Sequence, residues 1–399
     1  MPDTERLYFE DVSRIVFEAR VIERRVVEGS PAVVLDRTCF YPESGGQPWD
    51  LGTLGGIPLA RVIDEDGVIL HVLEREAGGD VLRGEVDWPR RFDHMQQHTG
   101  QHILSQAFLE EARGETKSFH LGPDVSSLEI GLPEASDGLL ERVERRANAV
   151  VFEDREVRTF FVPAERISEI PLRRPPKVTG TIRVVEVMGF DFSACGGTHV
   201  RRTGEIGLIK IIAGEKIRGN LRFVFVCGGR ALAEFQVRSR VVRDLVGRFN
   251  VPPADLPGQV EKLSGEAKAL KKSFRALETA AAEREAADMA AASKGERILV
   301  RVFRDRSPEA VRTLALSLVR GGPFVALFAT RSAERLQIIL ARAESLAVDL
   351  RKLVGVVASA VSGKGGGGPS LVEIAGDPNA DADAALAVAA EAVRAVLPD

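Results

Sequence analysis

Short apolar runs separated by glycine-rich turns characterise residues 1–89. Val33-Val34-Leu35, Val68-Ile69-Leu70-His71-Val72-Leu73 and Val81-Leu82-Arg83-Gly84-Glu85-Val86 are β-prone, and Ser44-Gly45-Gly46 and the Gly52 to Gly56 stretch punctuate them. A small barrel or sandwich is predicted there. From Arg90 the pattern turns helical, with Met95, Ile103, Leu104, Ala107 and Phe108 as apolar positions and Gly100 as a local weakness. A strand near Leu128-Glu129-Ile130, a helix over 138–152 and strands over 157–162, 182–187, 206–212 and 221–227 follow. This makes 90–230 an α+β block.

Pro252-Pro253 and Pro257-Gly258 mark a break. Beyond it Val260, Leu263, Ala267, Leu270, Phe274, Leu277 and Ala281 alternate spacings of three and four, the pattern of a helical stalk over 231–294. Such a seam serves equally as an amphipathic helix packed on a neighbour or as a dimer contact. Over 295–399, strands at 298–302, 323–328 and 336–340 alternate with helices at 308–319, 347–361 and 381–396. The pattern predicts a small α/β domain. The whole chain therefore reads as α+β: a small β-barrel (1–89), an α+β domain (90–230), the stalk and the C-terminal α/β domain.

Composition changes this picture little. The 399 residues, 44% hydrophobic and 28% charged, suit about two to four ordinary globular domains. No apolar run is long enough to cross a bilayer, and the charged N-terminus has no apolar signal core, so a cytoplasmic protein without membrane contact is expected. Three widely spaced cysteines (Cys39, Cys195, Cys227) argue against a disulfide framework. A net charge of −4 is no invitation to nucleic acid, but basic residues cluster locally. Arg201, Arg202, Lys210, Lys216, Arg218 and Arg222 form one run, with Arg173, Arg174, Lys177 and Arg183 upstream.

The chemistry concentrates in two fragments, His98-Thr99-Gly100-Gln101-His102 and Cys195-Gly196-Gly197-Thr198-His199. Each sets two metal-ligand side chains four residues apart, and together they offer the N and S donors that Zn²⁺ favours. On a helix, residues four apart share a face. His94 and His98 meet that condition as well as His98 and His102, so spacing leaves the pair open. Gly196-Gly197 lets the loop turn its side chains toward one centre and brings backbone N–H groups close to a substrate. A zincin protease needs Glu directly after the first His, where Thr99 stands. A base deaminase needs Cys-x-x-Cys, which is absent. Four protein ligands point to a closed structural site, whereas displacement of one by water or substrate gives an open one.

These fragments, in this order, resemble the editing domain of alanyl-tRNA synthetases and their free-standing relatives, the AlaX-type trans-editing proteins in their long form. The segment Leu35-Asp36-Arg37-Thr38-Cys39-Phe40-Tyr41-Pro42-Glu43-Ser44-Gly45-Gly46-Gln47-Pro48 resembles the barrel segment leading into that family's editing core. The C-terminal half resembles the family's helical stalk and DHHA1-type domain, with Gly363 to Pro369 as the glycine-rich stretch. With the chain starting at the β-domain, a complete synthetase is not expected.

The resemblance implies hydrolytic deacylation of tRNA(Ala) mischarged with serine or glycine. Zn²⁺ would be held by His98, His102, Cys195 and His199, holding the CCA end or polarising water. Gly196 and Gly197 N–H groups would stabilise an oxyanion. Thr38 and Gln47 match positions that face the amino-acid pocket, and Arg218, with Lys216 and Arg222, is a candidate phosphate contact. Lys364 beside the glycines suits a tRNA-contacting or self-associating module, including a homodimer through the stalk or the C-terminal domain. No general base stands out; Glu43, Asp93 and the substrate's 2′-OH are the candidates. The alternatives are threonyl-type editing of Ser-tRNA(Thr) and a non-catalytic, zinc-stabilised tRNA-binding dimer.

Overall fold

The computed structural model describes residues 3–176 and 180–397, which leaves Lys177 outside. The architecture is mixed α+β, with several separate sheets. Two compact units divide the chain, Met1–Leu245 and Val246–Asp399, a coarser partition than the four segments read from sequence.

In the first unit, strands Val16–Val27, Ser30–Leu35, Val68–Leu73, Ile57–Glu65, Gly52–Leu54 and Val81–Val86 follow one another around a closed barrel. Its first and last strands pair antiparallel, Phe17 opposite Gly84. A Cβ at Gly84 would stand 2.3 Å from the Phe17 ring, so only glycine admits that ring. Val16–Val27 and Ile57–Glu65 escape the sequence reading because charged residues interrupt their apolar positions. Phe17, Leu35, Phe40, Leu54, Val62 and Ile69 fill the barrel.

Helix α1 (Trp88–Ala112) carries the first ligand fragment. Asp87 caps it by accepting from Arg90 N at 3.2 Å, Pro89 opens it, and Arg113 closes it in the left-handed region at φ 53. Ile103, Leu104, Ala107 and Phe108 pack into the core. Beneath lies a four-stranded sheet in the order Ile209–Ile217, Asn220–Cys227, Ser126–Ile130 and Thr116–Leu121; Phe108 stacks on Phe223 at 4.8 Å. Gly100 is a point of close approach: a Cβ there would lie 2.4 Å from Cys227 Sγ. Helix α2 (Asp137–Phe152) buries Val143, Ala147, Val150 and Val151. A separate sheet of Val157–Pro163, Thr181–Val187 and Asp191–Ala194 delivers the second fragment from its last strand.

The second unit is built on strands Ile298–Arg304, Val325–Arg331, Leu336–Arg342, Leu371–Gly376 and Lys364–Gly367, in that order across one sheet. Helices Pro308–Gly321 and Ala382–Arg394 contribute Leu314, Leu318, Leu386 and Val393 to its core. One expectation needs correction. The helix expected over 347–361 is a 3₁₀ turn (Leu350–Leu353) followed by Val354–Ala360, because Asp349 caps the turn by accepting from Arg351 N at 3.1 Å. The glycine-rich stretch contains an edge strand, where a Cβ at Gly365 would fall 2.4 Å from Glu373 O. Helix Leu256–Ala292 buries Ala282 and Ala286, while Val260, Leu263, Leu270, Phe274 and Leu277 are exposed. No helix among the described residues is long and apolar enough to cross a membrane.

Candidate metal centre and cleft

Helix α1 presents His98 and His102 one turn apart, and the loop after Asp191–Ala194 brings Cys195 and His199 to meet them. One ligand atom from each lies within 4.8 Å of the others. Cys195 Sγ stands 3.4 Å from His98 Nε2 and 3.3 Å from His199 Nε2. Ligands around a tetrahedral ion with bonds of about 2.0–2.3 Å are separated by roughly 3.3–3.8 Å. These two edges therefore already match. His94, the other pairing left open by spacing, stays outside the cluster; burial, with Arg90 nearby, pushes its pKa down to about 4.

Outer partners aim the three imidazoles. His98 Nδ1–H donates to Gln47 Oε1 at 2.8 Å, an oxygen that also accepts from Thr198 N at 3.1 Å. Gln47 Nε2 donates to Thr198 Oγ1 at 2.8 Å, so one amide ties the barrel segment to both fragments. His199 Nδ1 lies 3.1 Å from Thr99 Oγ1, which accepts from Val200 N at 3.2 Å. His102 Nδ1 stands 3.5 Å from Asp191 Oδ2, at ion-pair distance. With Nδ1 of His98 and His199 hydrogen-bonded and that of His102 facing the Asp191 carboxylate, the Nε2 atoms remain for an ion. A Cβ at Gly197 would fall 2.2 Å from His98 Cε1, so the loop closes over the ring only with glycine.

Electrostatics favour a cation. Burial pushes the Cys195 thiol up, but the imidazoles of His98 and His199 and hydrogen bonds from His102 and His199 hold it well below its ordinary value. Burial, helped by His98, drives His199 down to about 3. Burial also opposes charge on His102, yet Asp191 and Cys195 outweigh it and raise that pKa. A thiolate beside a neutral His199 is the protonation state metal ligation requires. The N₃S donor set, the spacing and the outer partners fit a borderline ion of the zinc type.

His98, His102 and Cys195 line a cleft of about 770 Å³, with Gly196, Gly197, Phe9, Phe119, Phe161, Arg173 and Arg183 among its other walls. Thr38 and Gln47 do not line it. Thr38 Oγ1 sits 2.8 Å from His71 Nε2 and accepts from Phe40 N at 3.0 Å, deep in the barrel. Arg218 occupies a turn at φ 46, away from the cleft wall, and Arg222 pairs with Glu215 at 3.3 Å. Glu43 pairs with Arg61 at 3.6 Å and Asp93 accepts from Arg230 Nε at 2.9 Å; neither lines the cleft. Of the loop amides, Gly197 N already donates to Cys195 Sγ at 3.4 Å, which leaves the exposed Gly196. Sequence reasoning missed Asp191 and gave Thr99 no positive role. Arg173 and Arg183 appeared only as part of a basic run.

The comparisons agree with this geometry. Residues 182–225 match the family described as the threonyl and alanyl tRNA synthetase second additional domain. The alanyl-tRNA editing protein AlaX-L of Pyrococcus horikoshii is 28% identical over 383 residues, covering 92% of this chain and 93% of that protein. The chain is a homologue of that editing protein. The alanine–tRNA ligase of Pyrococcus furiosus is 36% identical over 292 residues, 69% of this chain and 32% of the ligase. That of Halorubrum lacusprofundi is 32% identical and aligns with 99% of this chain but 44% of its own length. This homologue thus spans between about a third and under half of the ligases it matches.

Proposed function

We propose that the protein is an aminoacyl-tRNA deacylase that hydrolyses the ester of tRNA(Ala) mischarged with serine, and with glycine as a second substrate. One observation carries the reading: four donors from two distant fragments meet, three of them on the wall of a basic cleft, in a homologue of an alanyl-tRNA editing protein. His98, His102, Cys195 and His199 would hold Zn²⁺, which when bound supplies Lewis acidity toward a carbonyl or a water.

The chain's own groups do the rest. Arg183 Nη1 donates to Cys195 O at 2.9 Å and Gly197 O at 2.8 Å, which holds the loop and supports Gly196 N–H as the oxyanion donor. Arg6, Lys117 and Arg174 on the cleft walls suit terminal phosphates. Phe9 and Phe161, with ring centroids 5.8 Å apart, offer stacking faces to unpaired bases. With Glu43 and Asp93 paired away from the cleft, the substrate's 2′-OH remains the candidate base. A cytoplasmic location and the four-segment division at 89, 230 and 294 belong to the same reading. So does a homodimer through the exposed seam of helix Leu256–Ala292 or through the C-terminal domain; sedimentation at twice the chain mass would support it.

The decisive assay offers purified protein Ser-tRNA(Ala), Ala-tRNA(Ala) and Ser-tRNA(Thr). Serine should leave the first, and the other two should persist. His102→Ala should lose both zinc and activity. Release of serine from Ser-tRNA(Thr) instead would favour threonyl-type editing, and tRNA binding without any deacylation would favour the non-catalytic dimer.

A further inference from the structure

Gln101 precedes His102 on helix α1 and lines the same cleft, yet it is 1% exposed. Its Nε2 donates to Ser105 Oγ at 2.8 Å, an oxygen that also accepts from Thr116 Oγ1 at 2.7 Å. Its Oε1 is buried and accepts no hydrogen bond among the described residues. Buried acceptors are almost always paired, so an orphan on a cleft wall points to a donor that arrives with the ligand. Neighbouring hydroxyls are committed: Ser193 Oγ lies between Asp191 Oδ2 (2.8 Å) and Arg173 Nη2 (3.0 Å).

We infer that Gln101 Oε1 is the acceptor that reads the side-chain hydroxyl of the seryl group, making Gln101 the specificity residue of the cleft. The inference rests on the proposed deacylase reading and names what that reading lacks, since Thr38 and Gln47 spend their polar atoms elsewhere. The donor is a neutral hydroxyl, not the α-ammonium. A cation entering here would meet Arg173 and Arg183 with a neutral amide as its partner, whereas a hydroxyl carries no charge to desolvate. Alanine and glycine bring no donor and leave Oε1 orphaned, so each should be about 5- to 150-fold worse, the cost of one unpaired buried acceptor.

The test measures kcat/KM for Ser-tRNA(Ala) and Gly-tRNA(Ala) with the full-length zinc-loaded protein, Gln101→Met and Gln101→Glu. Gln101→Met keeps the side chain's length but removes the acceptor, and should lower the serine-to-glycine ratio by about 5- to 150-fold. Gln101→Glu keeps an acceptor and should preserve the preference for serine. An unchanged ratio in Gln101→Met, including an equal fall for both substrates, overturns the assignment. A second measurement needs no variant: the wild-type protein should bind the 3′-seryl amide of adenosine more tightly than the 3′-alanyl amide, and equal affinities overturn it as well. Failure of the wild-type protein to release serine would instead defeat the deacylase reading itself.

Discussion

At the residue scale, two buried groups act through a neighbour. Asp191 is almost wholly inaccessible; Arg173 Nη1 lies 3.3 Å from its Oδ1, and Oδ2 faces His102 Nδ1. Its carboxylate orients the ring and raises its basicity, a role in which substitution costs about 10–100-fold in metal affinity. Asp191→Asn should weaken zinc binding by that factor in a chelator competition, and an unaltered zinc affinity would remove Asp191 from the site. His71 makes a different kind of prediction. Its Nδ1–H donates to Val33 O at 3.2 Å, so Nε2 must accept from Thr38 Oγ1, and only the neutral ring fits. Burial drives its pKa down to about 4. The unfolded ring, near pH 6.5, then binds protons that the folded ring refuses. The stabilisation is complete above pH 6.5 and is lost as pH falls toward 4, amounting to about 2 kcal/mol between pH 7 and pH 5. His71→Gln, which can keep both hydrogen bonds, should lose correspondingly less stability in urea titrations at the two pH values. Parallel losses in both proteins would contradict the tautomer.

At the scale of elements, the barrel segment and helix α1 are locked by a wholly buried ion pair. Arg91 Nε donates to both oxygens of Asp50 at 2.9 and 3.0 Å, its Nη2 donates to Cys39 O at 2.6 Å, and Asp50 accepts from Tyr41 N at 2.6 Å. Removing one partner strands a buried charge, so Asp50→Ala should cost about 3–5 kcal/mol in denaturant unfolding. A change under about 1 kcal/mol, the size of an exposed pair, would mean water reaches the guanidinium. Neither residue carried a signal in the sequence, because an arginine at the start of a helix reads as surface. The ligand fragments were legible for the opposite reason: two distant pairs of histidine and cysteine at four-residue spacing together make one donor set, although spacing alone left His94 as an alternative partner of His98. What sequence could not supply was partner choice. Gln47 looked like a pocket residue because its family position is known, while the hydrogen bonds that consume it come from His98 and Thr198, far along the chain. The strand at Lys364–Gly367 was illegible because glycines lack β-propensity; a close backbone approach selects them.

At the scale of the molecule, each compact unit has its own apolar core: the clusters around Phe40, Phe108 and Val184 belong to the first, and that around Phe328 to the second. The ligand cluster and its cleft fall wholly within the first. Helix Gly228–Phe249 ends at Asn250, whose left-handed φ of 53 makes a natural stop. A protein ending there retains every group assigned a chemical role above. It should fold, keep its zinc and deacylate Ser-tRNA(Ala) with kcat near that of the full chain. If the second unit contributes to holding tRNA, KM should rise by about tenfold or more, equivalent to roughly 1.4 kcal/mol of lost binding, and the difference should shrink as salt weakens phosphate contacts in the full chain. An unchanged KM at low salt would assign the second unit to association between copies. A truncated protein that cannot retain zinc would show that the first core does not stand alone.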